Sequence, residues 1–288
     1  MAVRRILATL GLLAAPPLGI GIIFEMLVRR NLYRTGAYQR GVPEATDVPF
    51  EQVRFWTADG QELEGWLFHA GDLPATVLFM HGTNYNASDM WVTEERAKLF
   101  GDFLRGLGCR FFVFDYRGYG ANVGKASEQG TYLDAEGAVG YLHNREEIDP
   151  TSLVFYGFSL GTGVAVELAL REPCAGLVLR APFTSLRDLV VERLPQLSGP
   201  LGLLPWLPLT RYDSTAKIAR IGVPLLVMHG DADESVPFWM GRRLYELAAE
   251  PKTFVPFPGA SHQDFPLGLM TPAVRRFLEE STASVATA

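Results

Sequence analysis

From about residue 50 onward, short apolar runs alternate with longer segments whose apolar residues recur at helical spacing. Runs that stay apolar along their length are typical of strands buried on both faces of a parallel sheet. The predicted strands are Thr76–Met80, Arg110–Phe114, Leu153–Tyr156, Gly176–Leu179, Leu225–Met228 and Thr253–Pro256. Helices are predicted between and after them, near residues 90–107, 131–146, 160–171, 239–249 and 271–280.

A β-hairpin is predicted ahead of this alternation. The segments Glu51–Trp56 and Glu62–His69 flank the turn residues Ala58, Asp59 and Gly60, and such a turn between strand-like segments favours a hairpin. The hairpin and the buried runs together predict one α/β domain over residues 50–280. Its centre is a mostly parallel sheet of eight strands with helices on both faces.

Residues 184–217 interrupt the alternation. They contain Leu-Pro-Gln-Leu-Ser-Gly-Pro and Leu-Leu-Pro-Trp-Leu-Pro-Leu and hold no clear strand. We interpret this Pro-rich apolar insert as a small cap over a site, and the alternative is a surface loop packed on the core. At the other end of the domain, residues 281–288 are small and polar, and they are predicted to form a flexible tail.

The N-terminal residues 1–30 have a different pattern. Between Ile6 and Val28 the only charged residue is Glu25. A helix needs roughly 20 apolar residues to cross a bilayer, so this stretch predicts an uncleaved membrane anchor, followed by a linker at 31–49. Pro16 and Pro17 would kink such a helix without excluding it. The alternative is a cleaved signal peptide that leaves a secreted or periplasmic protein.

The side of the membrane stays open at this stage. Arg4 and Arg5 precede the apolar stretch, and a larger group of arginines follows it, namely Arg29, Arg30, Arg34 and Arg40. The positive-inside rule would place the main domain in the cytoplasm. A signal anchor with a very short N-terminal tail would place it on the opposite side.

Composition narrows the function classes. The chain has 288 residues and a formal net charge of −6, which provides no basic face for nucleic acid. Cys109 and Cys174 lack metal-ligand spacing and lie in apolar surroundings, which indicates buried, inert thiols. No metal and no organic cofactor is predicted. The expected partners are a small-molecule or lipid acyl substrate and, through the N-terminal segment, a membrane.

The sequence Gly157-Phe158-Ser159-Leu160-Gly161 lies where a predicted strand gives way to a predicted helix. A nucleophilic serine on such a bend needs small neighbours, because the chain turns too sharply for larger side chains. The two glycines meet this requirement. Ser159 is therefore the candidate nucleophile.

A serine hydroxyl needs a base to accept its proton. In sheets of this type the order along the chain is serine, acid and histidine, and only His229 and His262 follow Ser159. His229 ends a predicted strand and is interpreted as structural, whereas His262 lies in the loop after the last strand and is the candidate base. Asp231 and Asp233 both suit the acid, and their spacing leaves the choice open.

Two backbone N–H groups are predicted to bind the oxyanion that forms during acyl transfer. One belongs to Leu160, directly after the nucleophile. The other is assigned to Thr83, in the loop His81-Gly82-Thr83-Asn84 after a predicted strand. A glycine just after the strand permits the turn that directs the next amide into the site.

Several motifs carry a family resemblance: His81-Gly82-Thr83-Asn84, Asp115-Tyr116-Arg117-Gly118-Tyr119-Gly120, Gly157-Phe158-Ser159-Leu160-Gly161, Arg211-Tyr212-Asp213-Ser214, His229-Gly230-Asp231-Ala232-Asp233 with Val236-Pro237, and Gly259-Ala260-Ser261-His262. Together they resemble the α/β-hydrolase superfamily and, within it, the Bem46-like group of serine hydrolases. The resemblance implies that Asp233 is the catalytic acid, and it supports Thr83 as an oxyanion residue. It also implies that the motif beginning at Asp115 shapes a loop.

The resemblance implies a serine hydrolase that cleaves carboxylic esters or thioesters through an acyl-enzyme on Ser159. The predicted anchor suggests acyl lipids or acylated substrates at a membrane. Two alternatives remain, a serine peptidase of the same fold and a non-catalytic scaffold that has kept the fold.

Overall fold

The computed structural model describes residues 30, 32–33, 41–193, 195, 210–264 and 266–285. The predicted N-terminal anchor, apart from Arg30, and the centre of the predicted cap lie outside these residues. Within the described ranges, no helix has the length and apolar character needed to cross a membrane.

The predicted sheet is confirmed, with eight strands in the order β1-β2-β4-β3-β5-β6-β7-β8. The pairs β1–β2 and β2–β4 are antiparallel, and every other neighbouring pair is parallel. The strands are β1 (Phe50–Trp56), β2 (Glu62–His69), β3 (Thr76–Met80), β4 (Arg110–Phe114), β5 (Leu153–Phe158), β6 (Gly176–Arg180), β7 (Leu225–Gly230) and β8 (Lys252–Phe257).

The central strands extend one or two residues beyond the predicted ends. On β5 the ladder continues until Phe158 pairs with Arg180, and on β7 it continues until Gly230 pairs with Phe257. Glycine has a low intrinsic preference for strands, but pairing with neighbours on the sheet overrides that preference here. The extension carries β5 up to the candidate nucleophile.

The described helices are α1 (Glu94–Leu107), α2 (Glu128–His143), α3 (Leu160–Arg171), α4 (Leu186–Arg193), α5 (Phe238–Leu247) and α6 (Leu267–Val285). Helix α1 begins later than predicted because the Thr93 side chain accepts the N–H of Arg96 and so caps it there. Helix α6 reaches Val285, so residues 281–285 of the predicted tail are helical. Thr282 is buried in this extension, and its hydroxyl donates to the Leu278 carbonyl at 2.9 Å.

Helices cover both faces of the sheet, as predicted. Buried side chains of α2, α3 and α5 form one core cluster with one face. Buried side chains of α1 and α6 form a second cluster with the other face. The carboxyl edge of the parallel strands is left for connecting loops, which is where ligand sites of such sheets lie.

Hydrogen bonds join the beginning of the insert predicted as a cap to its end. The Thr184 carbonyl accepts the N–H groups of Ser214 and Thr215 at 2.9 and 3.2 Å. The N–H of Leu186 donates to the Arg211 carbonyl at 2.9 Å. Between these paired ends, the structure describes helix α4, which the sequence pattern did not reveal.

Helix α1 is packed closely onto the chain that enters the domain. A Cβ added to Gly101 would lie far inside contact distance of the Thr46 carbonyl oxygen, whereas one added to Gly140 on α2 would meet nothing within 4 Å. These two helical glycines therefore provide a matched pair for testing the packing.

We expect Gly101→Ala to lower the free energy of unfolding by about 1–3 kcal/mol, because the new methyl group overpacks the contact. Gly140→Ala should raise it by about 0.5–1 kcal/mol, because alanine has the higher helix propensity and the site is open. Urea denaturation of both variants tests this. Equal effects of the two substitutions would contradict the packing of α1 against Thr46.

Candidate active site

Ser159 lies at the bend between β5 and α3. Its backbone adopts φ 52° and ψ −117°, a left-handed conformation that is costly for a residue with a side chain. The N–H of Ser159 donates to the Arg180 carbonyl at 3.0 Å, and the carbonyl of Ser159 accepts the N–H of Thr162 at 3.0 Å. These bonds tie the strained residue to the neighbouring strand and to the following helix.

The steric reason predicted for the flanking glycines is confirmed. A Cβ on Gly157 would lie 2.5 Å from the Gly161 carbonyl oxygen. A Cβ on Gly161 would overlap the Met80 carbonyl oxygen at the end of β3. The bend has no room for a side chain at either position, so Ser159 is presented alone at the carboxyl edge of the sheet.

Ser159, His262 and Asp233 form one chain of hydrogen bonds. His262 Nε2 lies 3.0 Å from Ser159 Oγ, and His262 Nδ1 lies 2.7 Å from Asp233 Oδ2. An ionised carboxylate only accepts hydrogen bonds, so the proton on the imidazole is assigned to Nδ1, which leaves Nε2 to accept the serine proton. The three side chains follow β5, β8 and β7 and meet above the sheet.

The two aspartates that suit the acid occupy different positions in the structure. Asp231 Oδ1 accepts the N–H of Gly259 at 2.6 Å, and so it braces the turn after β8. Asp233 faces His262 instead, while its Oδ1 accepts the N–H groups of Ser235 and Val236 at 2.8 and 2.7 Å.

Asp233 is held as an anion. Burial alone raises the pKa of a carboxyl, but hydrogen bonds from His229, His262 and the Val236 N–H outweigh it and hold the pKa of Asp233 well below its usual range. His229 Nε2 lies 3.0 Å from the Val236 carbonyl and 3.4 Å from Asp233 Oδ2. His229 thus supports the acid and does not contact Ser159, in keeping with its predicted structural role.

The loop after β3 lies beside the serine. Met80 pairs with Gly157 across the sheet, and a Cβ added to Gly82 would lie 3.1 Å from the Ser159 Cβ. Thr83 follows Gly82 directly, and Leu160 follows Ser159. The two residues predicted to supply oxyanion donors therefore sit next to the serine, one on each adjoining segment.

Two residues of the predicted linker also reach this place. The Leu32 carbonyl accepts the Thr83 hydroxyl, and the Tyr33 hydroxyl lies 3.0 Å from the Tyr212 hydroxyl. The Tyr212 ring in turn packs on α3, because a Cβ added to Gly163 would lie 2.9 Å from it. The chain that enters the domain thus contacts both the loop after β3 and, through Tyr212, helix α3.

His81 and Asp115 form a buried pair beneath the oxyanion loop, which sequence reasoning missed. His81 Nδ1 lies 2.9 Å from the Gly82 carbonyl, and Asp115 Oδ1 accepts the Ala87 N–H at 2.6 Å. His81 Nε2 and Asp115 Oδ1 are 3.6 Å apart. The pair thus makes hydrogen bonds to the chain after β3 at Gly82 and at Ala87. Both residues belong to motifs visible in the sequence, but no local signal indicates that they meet.

Burial shifts both members of this pair toward their neutral forms. It lowers the pKa of His81 to about 4, against a bond to the Gly82 carbonyl that acts in the opposite direction. It raises the pKa of Asp115 to about 7, against the Ala87 N–H. The segment after β3 is therefore held by a carboxyl that can titrate.

Neither cysteine belongs to the site. Burial raises the pKa of the Cys109 and Cys174 thiols to about 12, which suppresses the reactive thiolate. Cys174 is only partly buried, in contrast to Cys109. In the part of the chain that the structure describes, no cluster of His, Cys, Asp and Glu is arranged to hold a metal ion.

A sheet of this strand order, with a serine bend after its fifth strand, defines the class of α/β hydrolases. A model of the alpha/beta hydrolase fold family matches residues 75–204. The uncharacterised protein Rv2307c of Mycobacterium tuberculosis is 38% identical over 290 residues, covering 96% of this chain and 96% of its own length. The chain belongs to the α/β-hydrolase family.

Solved structures share this fold. The esterase Pf2001 of Pyrococcus furiosus superimposes with a TM-score of 0.68 at 22% identity, covering 86% of this chain and 97% of that one. A puromycin-hydrolyzing peptidase of Mycobacterium tuberculosis superimposes with a TM-score of 0.64 at 19% identity, covering 82% of this chain and 40% of that one. At these identities the likeness shows the fold alone.

The buried carboxyl of Asp115 makes the stability of the protein dependent on pH. Its pKa is 3.8 in ordinary surroundings and about 7 in the folded protein. Between these values the folded state holds a proton that the unfolded chain releases, so rising pH favours unfolding. We expect Asp115→Asn to remove this loss of stability. The free energy of unfolding of the variant, relative to that of the wild type, should therefore rise by up to about 4 kcal/mol as the pH increases between the two pKa values.

Urea denaturation at a series of pH values across that window measures the difference between the two proteins. Asp72→Asn, on an exposed loop, is the control and should follow the wild type at every pH. A constant difference between Asp115→Asn and the wild type over the window would contradict a protonated Asp115 in the folded state.

Proposed function

We propose that this hydrolase cleaves carboxylic esters or thioesters through an acyl-enzyme on Ser159. The observation that carries the proposal is His262, which contacts the Ser159 hydroxyl with one ring nitrogen and the Asp233 carboxylate with the other, at 3.0 and 2.7 Å. This arrangement allows one imidazole to accept a proton from serine and later to donate it.

In the first half-reaction His262 Nε2 takes the proton of Ser159 as Oγ attacks the acyl carbon. The carbonyl oxygen becomes an oxyanion, which the N–H groups of Leu160 and Thr83 stabilise. Asp233 holds the imidazole in orientation and stabilises its positive charge without taking its proton. The low pKa of Asp233 supports this assignment, since the carboxylate stays ionised.

The tetrahedral intermediate then collapses. The bond from the acyl carbon to the leaving oxygen or sulfur breaks, and that atom receives the proton held on His262 Nε2. In the second half-reaction His262 activates a water, which attacks the acyl-enzyme and releases the acid. These steps use the substrate, one water and groups of this chain.

The membrane setting belongs to the same proposal. The apolar stretch ends at Val28, four residues before Leu32 in the sequence, and the Leu32 carbonyl accepts the hydroxyl of Thr83 in the oxyanion loop. An anchor at that stretch would keep the active site near the bilayer and its acyl substrates. We also propose membership of the Bem46-like group, on the motifs that carry that resemblance.

A peptidase is the second candidate, and the shared fold of the puromycin-hydrolyzing peptidase is the observation that favours it. The same three side chains serve both chemistries, because the acyl-enzyme is the same. The esterase Pf2001, whose solved structure covers 86% of this chain, favours the ester reading. Comparing p-nitrophenyl esters of increasing chain length with aminoacyl amides separates the two.

We expect a fluorophosphonate probe to label the wild type and to leave Ser159→Ala unlabelled, because the probe reacts only with an activated serine. Gel fluorescence of the labelled protein measures this, and Ser185→Ala, at another buried serine, is the control that should still label. A Ser159→Ala protein that labels like the wild type would refute the catalytic role and favour the scaffold alternative.

We expect Asp233→Asn to reduce kcat by about ten-thousand-fold with a smaller effect on KM, because asparagine favours the wrong tautomer of His262. Asp231→Asn is the matched control in the same loop, and it should retain near-normal kcat. Steady-state hydrolysis of p-nitrophenyl esters measures both variants. Similar losses in the two variants would count against Asp233 as the catalytic acid.

A further inference from the structure

A cavity of about 230 Å³ lies behind the active site, between one face of the sheet and helices α1 and α6. Aromatic side chains form a large part of its walls, and neither Ser159 nor His262 belongs to them. The Phe and Tyr rings in the lining are Phe79, Tyr85, Phe100, Phe103, Phe111, Tyr156 and Phe158. Nothing in the proposed chemistry of the triad itself uses this space.

Phe158 belongs to the wall of the cavity and also contacts the triad. Its ring packs against the His262 imidazole with centroids 5.2 Å apart and an interplanar angle of 31°. A Cβ added to Gly82 would lie 3.1 Å from the Ser159 Cβ and 3.3 Å from the edge of the Phe158 ring. The Ser159 side chain and the Phe158 ring in the cavity wall therefore both lie next to Gly82.

Two polar side chains in the lining come from the active-site loops. Tyr85 follows the oxyanion residues, and Gln263 follows His262. The Tyr85 hydroxyl donates to Gln263 Oε1 at 3.3 Å, so the two loops meet at the cavity. The rest of the lining is mainly aromatic and aliphatic, and it also includes the charged side chains of Asp89, Arg96 and Arg180.

The size of the cavity matches a single ring with a short linker. An apolar protein cavity of about 150 Å³ accepts benzene, and this one measures about 230 Å³. Aromatic walls favour a ring, which they contact by edge and by face. The Arg180 guanidinium lies 3.8 Å from the centroid of the Phe158 ring and holds that wall in place by a cation–π contact.

The position of His262 decides which part of a substrate faces the cavity. The leaving atom receives its proton from His262 Nε2, so it must lie within hydrogen-bond reach of that nitrogen. The cavity adjoins His262 through Phe158 and Gln263. A leaving group on the His262 side is therefore the part of the substrate that points toward the aromatic rings.

We propose that this cavity is the leaving-group subsite and takes a ring-sized apolar alcohol or thiol. The inference rests on the proposed function. As the bond from the acyl carbon to the leaving oxygen or sulfur breaks, its electron pair stays on that atom and the proton of His262 Nε2 joins it. The free alcohol or thiol then occupies the cavity, while the acyl group remains on Ser159 Oγ.

Filling the cavity tests this subsite. Leu267 lies in its wall at the start of α6, and Leu267→Trp adds bulk there. Leu269 on the same helix is 64% exposed and outside the lining, so Leu269→Trp is the matched control. Leu99→Trp on α1, in the opposite wall and half exposed, repeats the test if the first variant folds poorly.

With acetyl kept as the acyl group, we expect Leu267→Trp to lower kcat/KM for benzyl acetate by about ten-fold or more, from lost burial of the ring. Ethyl acetate, which leaves the cavity empty, should change by less than about two-fold, and Leu269→Trp should leave both esters unchanged. Equal losses for benzyl and ethyl acetate would overturn the subsite. A selective loss for ethyl phenylacetate, with benzyl acetate unaffected, would assign the cavity to the acyl group and overturn the proposal.

Binding of benzyl alcohol to Ser159→Ala, measured by calorimetry, provides a readout that does not depend on hydrolysis. We expect saturable binding that disappears when Leu267→Trp is added and persists when Leu269→Trp is added. Binding that is absent, or unaffected by Leu267→Trp, overturns the subsite while ester hydrolysis by the wild type leaves the proposed function standing. Conversely, failure of fluorophosphonate labelling and of all ester hydrolysis refutes the proposed function, and the leaving-group role fails with it.

Discussion

The close approach of α3 to the end of β3 is the constraint on which the site depends. Gly161 touches the Met80 carbonyl with no space for a Cβ, and Gly157 is equally confined by the turn that follows it. This contact forces the chain to reverse direction within one residue, so Ser159 takes its positive φ of 52°. The strain persists because the two layers that create it are among the most buried parts of the molecule. The same contact places the oxyanion loop, which follows Met80, against the serine.

The two buried carboxyl groups near the site, Asp233 and Asp115, differ in their ionisation. Asp233 is surrounded by donors, namely two backbone N–H groups and the rings of His229 and His262, so it stays ionised despite its burial. The buried pair of His81 and Asp115 has the opposite character, because burial outweighs the single N–H that Ala87 donates to Asp115 and shifts both groups toward their neutral forms. One carboxylate is thus kept charged beside His262, whereas the other gains or loses its charge near neutral pH.

Sequence reasoning recovered the features that are local or periodic. The strand Thr76–Met80 was predicted to the residue, since a fully buried strand is apolar throughout. The sharp bend at Ser159 was predicted because its flanking glycines meet a local steric requirement. Features that depend on contacts between distant segments were missed. Spacing could not choose between Asp231 and Asp233, because both lie in one turn and only the direction of the side chain separates them. The pairing of His81 with Asp115, and the helical residues 281–285, likewise depend on tertiary packing that leaves no pattern in the chain.

Phe158 has two contacts in the fold that its place in the sequence motif does not reveal. In the sequence it is only an apolar neighbour of the nucleophile. In the fold, alternation along β5 turns it away from α3 and toward α1 and α6, so its ring becomes both the support of the His262 imidazole and a wall of the aromatic cavity. A shift of the Phe158 ring would therefore also move the His262 imidazole, because the two rings are in contact. The position of the proposed base thus depends on the packing of side chains between the sheet and helices α1 and α6.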